Sequence, residues 1–453
     1  KVDEIWNELN RALLTNQDAS TIRNSNLFKY SPFNTLTPEQ EQVSQEILFN
    51  AIDCLESGET GTSVLSGKAG TGKSIVLIHM MYTLMSAMNV TYNDEDLTPD
   101  EQLELSVRIS LSNKIRDYVK RHGNLKIAFV VPMTSIRKTF KAVFSASKGT
   151  GLKSNMVIGP QDVLKEDYDI VFVDESHRLA RRKGITSYGS FDEACARLGL
   201  DPMVSTQLDM IQKKSKYSIL VYDGCQTVKA ADLTPEQFQR SLDLRIRTAH
   251  RVILQTQMRC EGGQSYLDYL DRIFQVSQDD SLEVENYDFK IWDNPNSMIS
   301  NIRNKDLNLS LCRVVAGYSW RWQSKGCETI EQAINEGLED IELDGCKYVW
   351  NMSNQEWILR EGAVNEIGCV HTTQGYDLNY VAVIFGHEID YDDESDSIVI
   401  DRNKFFDSKV KDGVDDDTLK QYIVNSYKVM MTRGIKGCYV YACNPRMQNY
   451  LKR

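Results

Sequence analysis

The sequence predicts an α/β protein with two principal cores, each built on a mostly parallel sheet. The chain has 453 residues, which is more than one hydrophobic core usually serves. Short apolar runs rich in β-branched residues alternate with longer amphipathic stretches, as expected for strands joined by helices. The runs show little internal alternation, which is typical of strands buried on both faces of a parallel sheet.

The predicted strands are spread over most of the chain, and no internal repeat or low-complexity tract accompanies them. They are Thr62–Leu65, Ile127–Val131, Ile170–Val173, Ser218–Tyr222, Arg251–Leu254, Val381–Phe385 and Cys438–Ala442.

The order of these elements suggests a domain organisation. Residues 1–35 are interpreted as an N-terminal helical cap and linker, 36–260 as the first core and 261–453 as the second core. Polar segments at about 92–123 and 179–216 are interpreted as insertions into the first core, and an acidic segment at about 390–417 as an insertion into the second. The acidic runs Glu388–Ser397 and Asp412–Asp417 are predicted to be solvated loops.

Composition limits the class of protein. The net charge of -12 provides no global basic footprint for nucleic acid, although a local basic cleft is compatible with it. The ten cysteines include no C-x-x-C pair, which argues against a zinc ribbon or a disulfide scaffold and favours reduced thiols in the cytoplasm. No apolar run approaches the length of a bilayer span and no signal-peptide pattern is present, so we expect no membrane association.

A glycine-rich loop with the pattern G-x-x-x-x-G-K-[ST] lies between a predicted strand and an apolar helical segment. It comprises Gly67, Lys68, Ala69, Gly70, Thr71, Gly72, Lys73 and Ser74. Its glycines allow successive backbone N–H groups to face phosphates, while Lys73 is expected to reach the β- and γ-phosphates and Ser74 to ligate Mg²⁺. The dipole of the following helix, predicted over Ile75–Met88, adds to this anion site. The loop therefore predicts a nucleoside triphosphate site.

A second motif follows about a hundred residues later, where the apolar run Ile170–Val173 ends in Asp174 and Glu175. The carboxyl ends of strands are where open α/β sheets bind their ligands. We expect Asp174 to hold Mg²⁺, through water, and Glu175 to orient or deprotonate the attacking water. His177 either couples this site to a neighbouring element or is a hydrogen-bonded structural histidine.

Four later stretches place polar residues beside predicted strands. They are Asp223-Gly224-Cys225-Gln226, Gln257-Met258-Arg259-Cys260, His371-Thr372-Thr373-Gln374-Gly375-Tyr376-Asp377 and Met431-Thr432-Arg433-Gly434. With the phosphate loop and the acidic strand end, this collinear set resembles superfamily 1 helicases. It resembles more closely the prokaryotic helicase-like family related to the helicase domain of Schlafen proteins, from about Leu36 to Ala442. The resemblance implies two RecA-like parallel-sheet cores with inserted helical segments, and ATP and Mg²⁺ as cofactors.

The resemblance also implies residue roles at the nucleotide. Gln40 is expected to recognise adenine, and Gln226 to sense the γ-phosphate. Arg259 and Arg433 are expected to neutralise transition-state charge as arginine fingers supplied in cis. Further nucleotide-site residues are expected to line the cleft between the cores, namely Gln374, Gly375 and Asp377. As isolated residues, the two arginines are compatible with ordinary surface positions or salt bridges.

A nucleic-acid path is implied as well, with single-stranded DNA or RNA as the expected partner. The residues placed on it by the resemblance are Pro132, Met133, Thr134, His371, Thr372 and Thr373. Thr372 and Thr373 are alternatively helix caps. Trp320 and Trp322 are interpreted as packing residues, with base stacking as the alternative.

Two functions of different classes remain open at this level. The first is an ATP-dependent nucleic-acid motor. The second is an ATP-dependent regulatory switch or effector module, for example in anti-phage defence, which hydrolyses ATP without unwinding. Tyr222 stands where the wider helicase pattern has Gly, which favours the Schlafen-related branch over well-studied unwinding enzymes. A nuclease fused to an ATPase is disfavoured, because no metal–carboxylate cluster is evident outside the phosphate site, although a fused or partner effector domain remains compatible. The oligomeric state is left open.

Overall fold

The computed structural model describes residues 29–68, 70–89, 99–257, 260–276, 287–352, 357, 360, 362–373 and 376–453. The interpreted N-terminal cap therefore lies largely outside the described residues. The described part of the chain divides into two compact units. The first contains the residues up to Gly224 together with Ala231–Thr256, and the second contains Cys225–Ala230 together with the residues from Gln257 to Arg453.

The first unit is built on a six-stranded sheet with the order β3-β2-β4-β5-β1-β6, in which every pairing is parallel. The strands are β1 (Gly61–Gly67), β2 (Ile127–Val130), β3 (Val157–Ile158), β4 (Tyr168–Val173), β5 (Ser215–Tyr222) and β6 (His250–Leu254). In β4, Ile170 and Phe172 pack into one hydrophobic cluster, while Val171 and Val173 pack into a cluster on the other face. Because both faces are covered, the strand is a continuous apolar run.

Helices cover both faces of this sheet. They are α1 (Pro38–Ser57), α2 (Lys73–Asn89), α3 (Pro99–His122), α4 (Thr134–Ala146), α5 (Tyr188–Arg197), α6 (Gln207–Lys213) and α7 (Pro235–Asp243). Thr37 begins α1 through a capping box, in which its hydroxyl accepts from the Gln40 N–H and the Gln40 side chain accepts from the Thr37 N–H.

Helix α3 occupies most of the polar segment interpreted as an insertion at about 92–123. Its buried residues Leu111, Ile115 and Tyr118 recur at helical spacing and join the core cluster that contains α1 and α2. Its charged residues form ion pairs with α1, which are Arg108–Glu41, Lys114–Asp53 and Arg121–Glu56. The polar composition of this segment thus belongs to one face of an amphipathic helix that packs on the core.

The second unit is built on a five-stranded parallel sheet with the order β11-β8-β12-β15-β7. Its strands are β7 (Asp288–Ile291), β8 (Cys312–Ala316), β11 (Ile367–Gly368), β12 (Leu378–Phe385) and β15 (Gly434–Ala442). Two separate antiparallel pairs are formed by β9 (Ile341–Leu343) with β10 (Cys346–Tyr348) and by β13 (Ile389–Asp392) with β14 (Ser397–Ile400). The predicted fold class of two parallel-sheet cores is confirmed.

The helices of the second unit cover both faces of its sheet. They are α8 (Gly263–Gln275), α9 (Pro295–Leu309), α10 (Ile330–Asn335), α11 (Val370–Thr373), α12 (Ser408–Lys411), α13 (Asp416–Met431) and α14 (Pro445–Leu451). In β12, Val381 and Val383 pack toward the cluster that contains α8 and α13, whereas Ala382 and Ile384 pack toward α9. No helix within the described ranges is long and apolar enough to cross a membrane.

All seven predicted strands coincide with strands of the structure, with ends that differ by a few residues. The interior strand β8 escaped prediction because Arg313 interrupts its apolar run. This arginine is buried, and its guanidinium donates to Asp306 Oδ1 at 2.8 Å. Pairing offsets the cost of burying its charge, so a charged residue is accommodated within a core strand.

The prediction of a solvated loop over Glu388–Ser397 is wrong for the first residues of this segment. Glu388 is buried, and its Oε1 accepts a hydrogen bond from the Tyr427 hydroxyl at 2.6 Å. Ile389 and Tyr391 are also buried in the β13–β14 hairpin. Only the tip of the hairpin, residues 393–396, is exposed. Burial raises the pKa of Glu388 above its usual range, although the Tyr427 hydrogen bond opposes the shift.

This burial predicts a pH-dependent stability. A carboxyl whose pKa is raised in the folded state contributes stability that is complete below its ordinary value of 4.5 and is lost as pH rises. Glu388→Gln removes the titration, so the melting temperature of the variant relative to wild type should increase between about pH 5 and about pH 8. Differential scanning fluorimetry measures this difference. The exposed Glu394→Gln serves as the control, and the same pH trend in both variants would contradict the assignment.

Candidate functional site

The phosphate loop connects the end of β1 at Gly67 to the beginning of α2 at Lys73, as predicted. Ala69 lies outside the described residues. Gly72 has a φ of 81°, and its carbonyl accepts the N–H of Val76 at 3.0 Å, in the first turn of α2. Glycine is required here because a left-handed backbone is strained for any other residue. The loop thus turns into the helix with its backbone N–H groups at an anion-binding helix N-terminus.

Gln40 is fixed against this loop. Its Nε2 donates to the carbonyl oxygen of Thr71 at 3.0 Å, and the residue is buried. A Cβ added at Gly72 would lie 2.5 Å from the same Nε2. The structure therefore places Gln40 against the phosphate loop. Its recognition of adenine stays a prediction.

Lys73 is buried, and its ammonium is surrounded by oxygens of its own unit. Nζ donates to the carbonyls of Gly67 at 2.5 Å and Lys68 at 3.0 Å, and lies 3.4 Å from Asp223 Oδ2. The last contact comes from the D-G-x-Q stretch after β5, whose aspartate sequence reasoning left without a role. The ammonium is thus held across the loop, where phosphate oxygens can replace these acceptors.

Ser74 and Asp174 meet as predicted for a shared Mg²⁺ site. The Ser74 hydroxyl lies 3.0 Å from both carboxylate oxygens of Asp174. Asp174 is buried, and this burial, followed by the charge of Glu175, raises its pKa to about 7. A hydroxyl beside a buried carboxylate fits Mg²⁺, which is usually held by one or two protein oxygens together with phosphates and water.

Glu175 follows with a left-handed backbone, at φ 49° and ψ 47°. Such a conformation is strained in a non-glycine residue and is often found at functional sites. Its Oε2 lies 3.0 Å from Nε2 of the buried His177. Burial alone would raise the pKa of Glu175, but His177 and then Lys73 outweigh it, so the pKa of this carboxyl is lowered. The carboxylate is therefore ionised and suited to accept a hydrogen bond from water.

The short helical turn after Glu175, Ser176–Arg178, anchors this geometry. The buried Ser176 hydroxyl donates to the Val221 carbonyl of β5 at 2.6 Å. The buried Arg178 guanidinium donates to Asp232 at 2.8 Å. Sequence reasoning assigned no role to these residues. The position of Ser176 and Arg178 directly after the acidic pair was the sequence feature that could have indicated their role. Asp232 is distant in sequence, and only the fold brings it close to Arg178.

The predicted nucleotide residues of the second unit are only partly described. Arg259, Gln374 and Gly375 lie outside the described residues. Arg433 is buried where α13 ends and β15 begins, and its carbonyl accepts the Leu378 N–H at 2.9 Å. Gln226, also buried, ends the helical turn Gly224–Gln226 after β5. The roles of these residues stay predictions.

The predicted nucleic-acid residues of the first unit lie where β2 leads into α4. Thr134 begins the helix and is exposed, while Pro132 is half-buried. The Arg137 guanidinium lies 3.3 Å from both the Pro132 carbonyl and the Thr134 hydroxyl. This turn therefore presents polar groups at the carboxyl edge of the sheet, and its contact with nucleic acid stays a prediction.

The predicted nucleic-acid residues of the second unit differ from one another. Thr372 and Thr373 are buried, and both hydroxyls lie within hydrogen-bonding distance of the Cys369 carbonyl, at 2.8 and 3.3 Å. Both hydroxyls are thus engaged within their own helical turn. His371 is only half-buried, and its Nε2 lies 3.8 Å from Asp407 Oδ2. Of the three, His371 is the least buried.

The aromatic pair flanking Arg321 packs against the core of the second unit. Trp320 and Trp322 are partly buried against the hydrophobic cluster beneath α9. The ring centroid of Trp322 lies 6.5 Å from that of the buried Trp350. The packing interpretation of both tryptophans is thus supported.

A phosphate loop beside a carboxylate at a neighbouring strand end defines the class of P-loop nucleotide-binding proteins. The profile of the family described as Schlafen group 3, DNA/RNA helicase domain, matches residues 61–444, and the chain belongs to this family. An uncharacterized protein of Saccharomyces cerevisiae, YPL245W, is 25% identical over 465 residues, covering 92% of this chain and 91% of the yeast protein.

Two solved structures show distant similarity. A structure of DNA unwinding at forked duplex DNA by two coordinating Pif1 helicases covers 92% of this chain and 94% of its own, with 11% identity and a TM-score of 0.31. Domain III of the Thermotoga maritima replication initiation protein DnaA covers 56% of this chain and 77% of its own, with 10% identity and a TM-score of 0.25. Membership of the helicase-domain family therefore rests on the profile match.

The contact between Gly72 and Gln40 yields a prediction with an internal control. Gly72 and Gly149 both have a left-handed backbone, at φ 81° and 80°, but a Cβ at Gly149 meets nothing within 4 Å. Both alanine variants should lose about 1–2 kcal/mol through backbone strain. Only Gly72→Ala should also weaken binding of a fluorescent nucleoside triphosphate, because its Cβ displaces Gln40 and the loop.

Titration fluorescence measures the affinity, and chemical denaturation measures the stability. If both variants bound the nucleotide like wild type, the loop assignment would be contradicted.

Proposed function

We propose that this protein hydrolyses ATP with Mg²⁺ and couples hydrolysis to binding of, or translocation on, single-stranded DNA or RNA. The observation that carries the proposal is the convergence of Lys73, Ser74, Asp174 and Glu175 at the carboxyl edge of one parallel sheet. Membership of a DNA/RNA helicase-domain family supports the coupling to nucleic acid.

In this mechanism each residue has one task. The phosphate loop binds the triphosphate through its N–H groups, and the ammonium of Lys73 leaves its carbonyl acceptors for the β- and γ-phosphates. Ser74 and Asp174 would hold Mg²⁺, which neutralises phosphate charge when bound. Glu175, ionised and positioned by His177, orients the attacking water and accepts its proton.

Asp223 adds a link that sequence reasoning did not include. Phosphate binding draws Lys73 toward the nucleotide, and the 3.4 Å contact to Asp223 must then change. Asp223 begins the D-G-x-Q stretch that ends at Gln226. A change in the Lys73–Asp223 ion pair on nucleotide binding therefore acts on the beginning of this stretch. We propose that Gln226 relays this change.

The wider organisation is also part of the proposal. We propose residues 36–260 and 261–453 as the two cores of the motor, with Arg259, Gln374, Gly375 and Arg433 acting on the nucleotide from the second. We place the protein in the cytoplasm. The ten cysteines include no C-x-x-C pair, which supports this placement.

An ATP-dependent switch or effector module is the second candidate. The observation in its favour is Tyr222, whose ring stacks on Phe238 with centroids 3.9 Å apart. This aromatic residue replaces the glycine of the wider helicase pattern and anchors the residue before the D-G-x-Q stretch to α7. Stimulation of hydrolysis by single-stranded DNA or RNA favours the motor, and the absence of stimulation by any nucleic acid favours the switch.

Hydrolysis should separate two variants of the site. Lys73→Ala should abolish both nucleotide binding and hydrolysis. Glu175→Gln should bind nucleotide but hydrolyse it about 10²- to 10⁴-fold more slowly, because it loses the proton acceptor. Phosphate release is measured without nucleic acid and with single-stranded DNA, duplex DNA and RNA. Hydrolysis at the wild-type rate by Glu175→Gln would refute the role of this carboxylate.

Arg433 tests the second core. Arg433→Ala should bind ATP with nearly unchanged affinity, while hydrolysis falls by about 10³- to 10⁵-fold through loss of transition-state charge stabilisation. Arg433→Lys retains the positive charge at this buried position but not the planar guanidinium. It therefore distinguishes the contribution of charge from that of guanidinium geometry. The exposed Arg446→Ala is the control, since Arg446 pairs with Asp390 at the surface. Normal hydrolysis by a folded Arg433→Ala protein would contradict the assignment.

A further inference from the structure

The acidic segment that sequence reasoning interpreted as an insertion contains an exposed aromatic residue. Phe405 is buried in the core of the second unit, whereas its neighbour Phe406 is 38% exposed. The Phe406 N–H donates to the Tyr318 carbonyl at 2.8 Å. This bond ties the backbone of Phe406 to the segment after β8.

Cations gather around this ring. The Arg321 guanidinium carbon lies 5.5 Å from the ring centroid, and the Lys411 ammonium lies 6.0 Å from it. Lys411 Nζ also donates to the Phe405 carbonyl at 2.9 Å, which fixes its position. Lys404, two residues before Phe406, is exposed. We name Arg321, Lys404, Phe406 and Lys411 the Phe406 surface.

The Phe406 surface adjoins His371, which is a residue of the predicted nucleic-acid path. Asp407 follows Phe406 directly, and its Oδ2 lies 3.8 Å from His371 Nε2. Its Oδ1 accepts the Lys409 N–H at 3.1 Å, at the beginning of α12. Asp407 is thus engaged by His371 and by the backbone of Lys409, whereas Lys404 Nζ lies 4.0 Å from Asp401 Oδ2.

We propose that the Phe406 surface binds single-stranded nucleic acid. A base stacks on the Phe406 ring and the Arg321 guanidinium, and Lys404 and Lys411 pair with phosphates. Aromatic rings and guanidinium planes stack on any base, while lysines follow the backbone without reading sequence. This inference rests on the proposed function and assigns its nucleic-acid contacts to a segment whose overall composition is acidic.

The test measures binding of fluorescent oligo(dT) and oligo(rU) by anisotropy. Phe406→Ala should weaken binding by about 5- to 100-fold, which corresponds to the stacking of one base. Phe406→Trp should restore affinity because it keeps an aromatic face, whereas Phe406→Leu should not. Leu307→Ala is the matched control, since Leu307 is an exposed apolar residue of the same unit, at 84% exposure.

Salt dependence separates stacking from charge. Lys404→Ala and Lys411→Ala should each reduce the slope of log affinity against log salt by about 1, while Phe406→Ala should leave the slope unchanged. If wild type binds an oligonucleotide and the affinity of Phe406→Ala is within twofold of the wild-type affinity, the assignment of the Phe406 surface is overturned. The proposed function then stands. If wild type binds neither DNA nor RNA, the coupling to nucleic acid in the proposed function is itself overturned.

Discussion

Parallel strands that end at one edge of a sheet are the constraint on which the candidate site depends. In the first unit β4, β5 and β1 are consecutive neighbours, and each is followed at its carboxyl end by a functional group. Asp174 follows β4, Asp223 follows β5 and the phosphate loop follows β1. Residues separated by 150 positions thereby meet, and the ammonium of Lys73 lies between loop carbonyls and Asp223.

Buried charge at this edge is stabilised only in part by its own unit. Lys73 and Glu175 have oppositely charged or hydrogen-bonding partners. At Asp174 burial outweighs the Ser74 hydroxyl, the Glu175 backbone N–H and the charge of Lys73, and it raises the pKa of this carboxyl to about 7. Burying a carboxylate is costly, and binding of a metal ion relieves such a cost. The left-handed backbone of Glu175 is a second strained feature, held by the Ser176 and Arg178 contacts. Buried charge and a strained backbone are thus concentrated at this edge of the sheet.

The acidic segment of the second unit shows why net composition is a weak guide to a surface. Its tip is solvated, but Glu388 is buried against Tyr427, and Asp407 faces His371. With these carboxylates engaged internally, Phe406 and its surrounding cations remain at the surface. A segment that is acidic overall therefore places an exposed aromatic ring beside two cationic side chains.

The sequence by itself determined the strands, the phosphate loop and the acidic strand end, because these depend on local features: apolar runs, glycines and the residue that follows a strand. It also determined the family resemblance through collinear motifs. Only the tertiary structure decided the partners of these residues. Asp223 beside Lys73, Asp232 beside Arg178 and Arg313 inside β8 depend on contacts between distant segments, which no local pattern encodes. The exposure of Phe406 and the burial of Thr372 and Thr373 were decided in the same way, by the packing of side chains around a completed sheet.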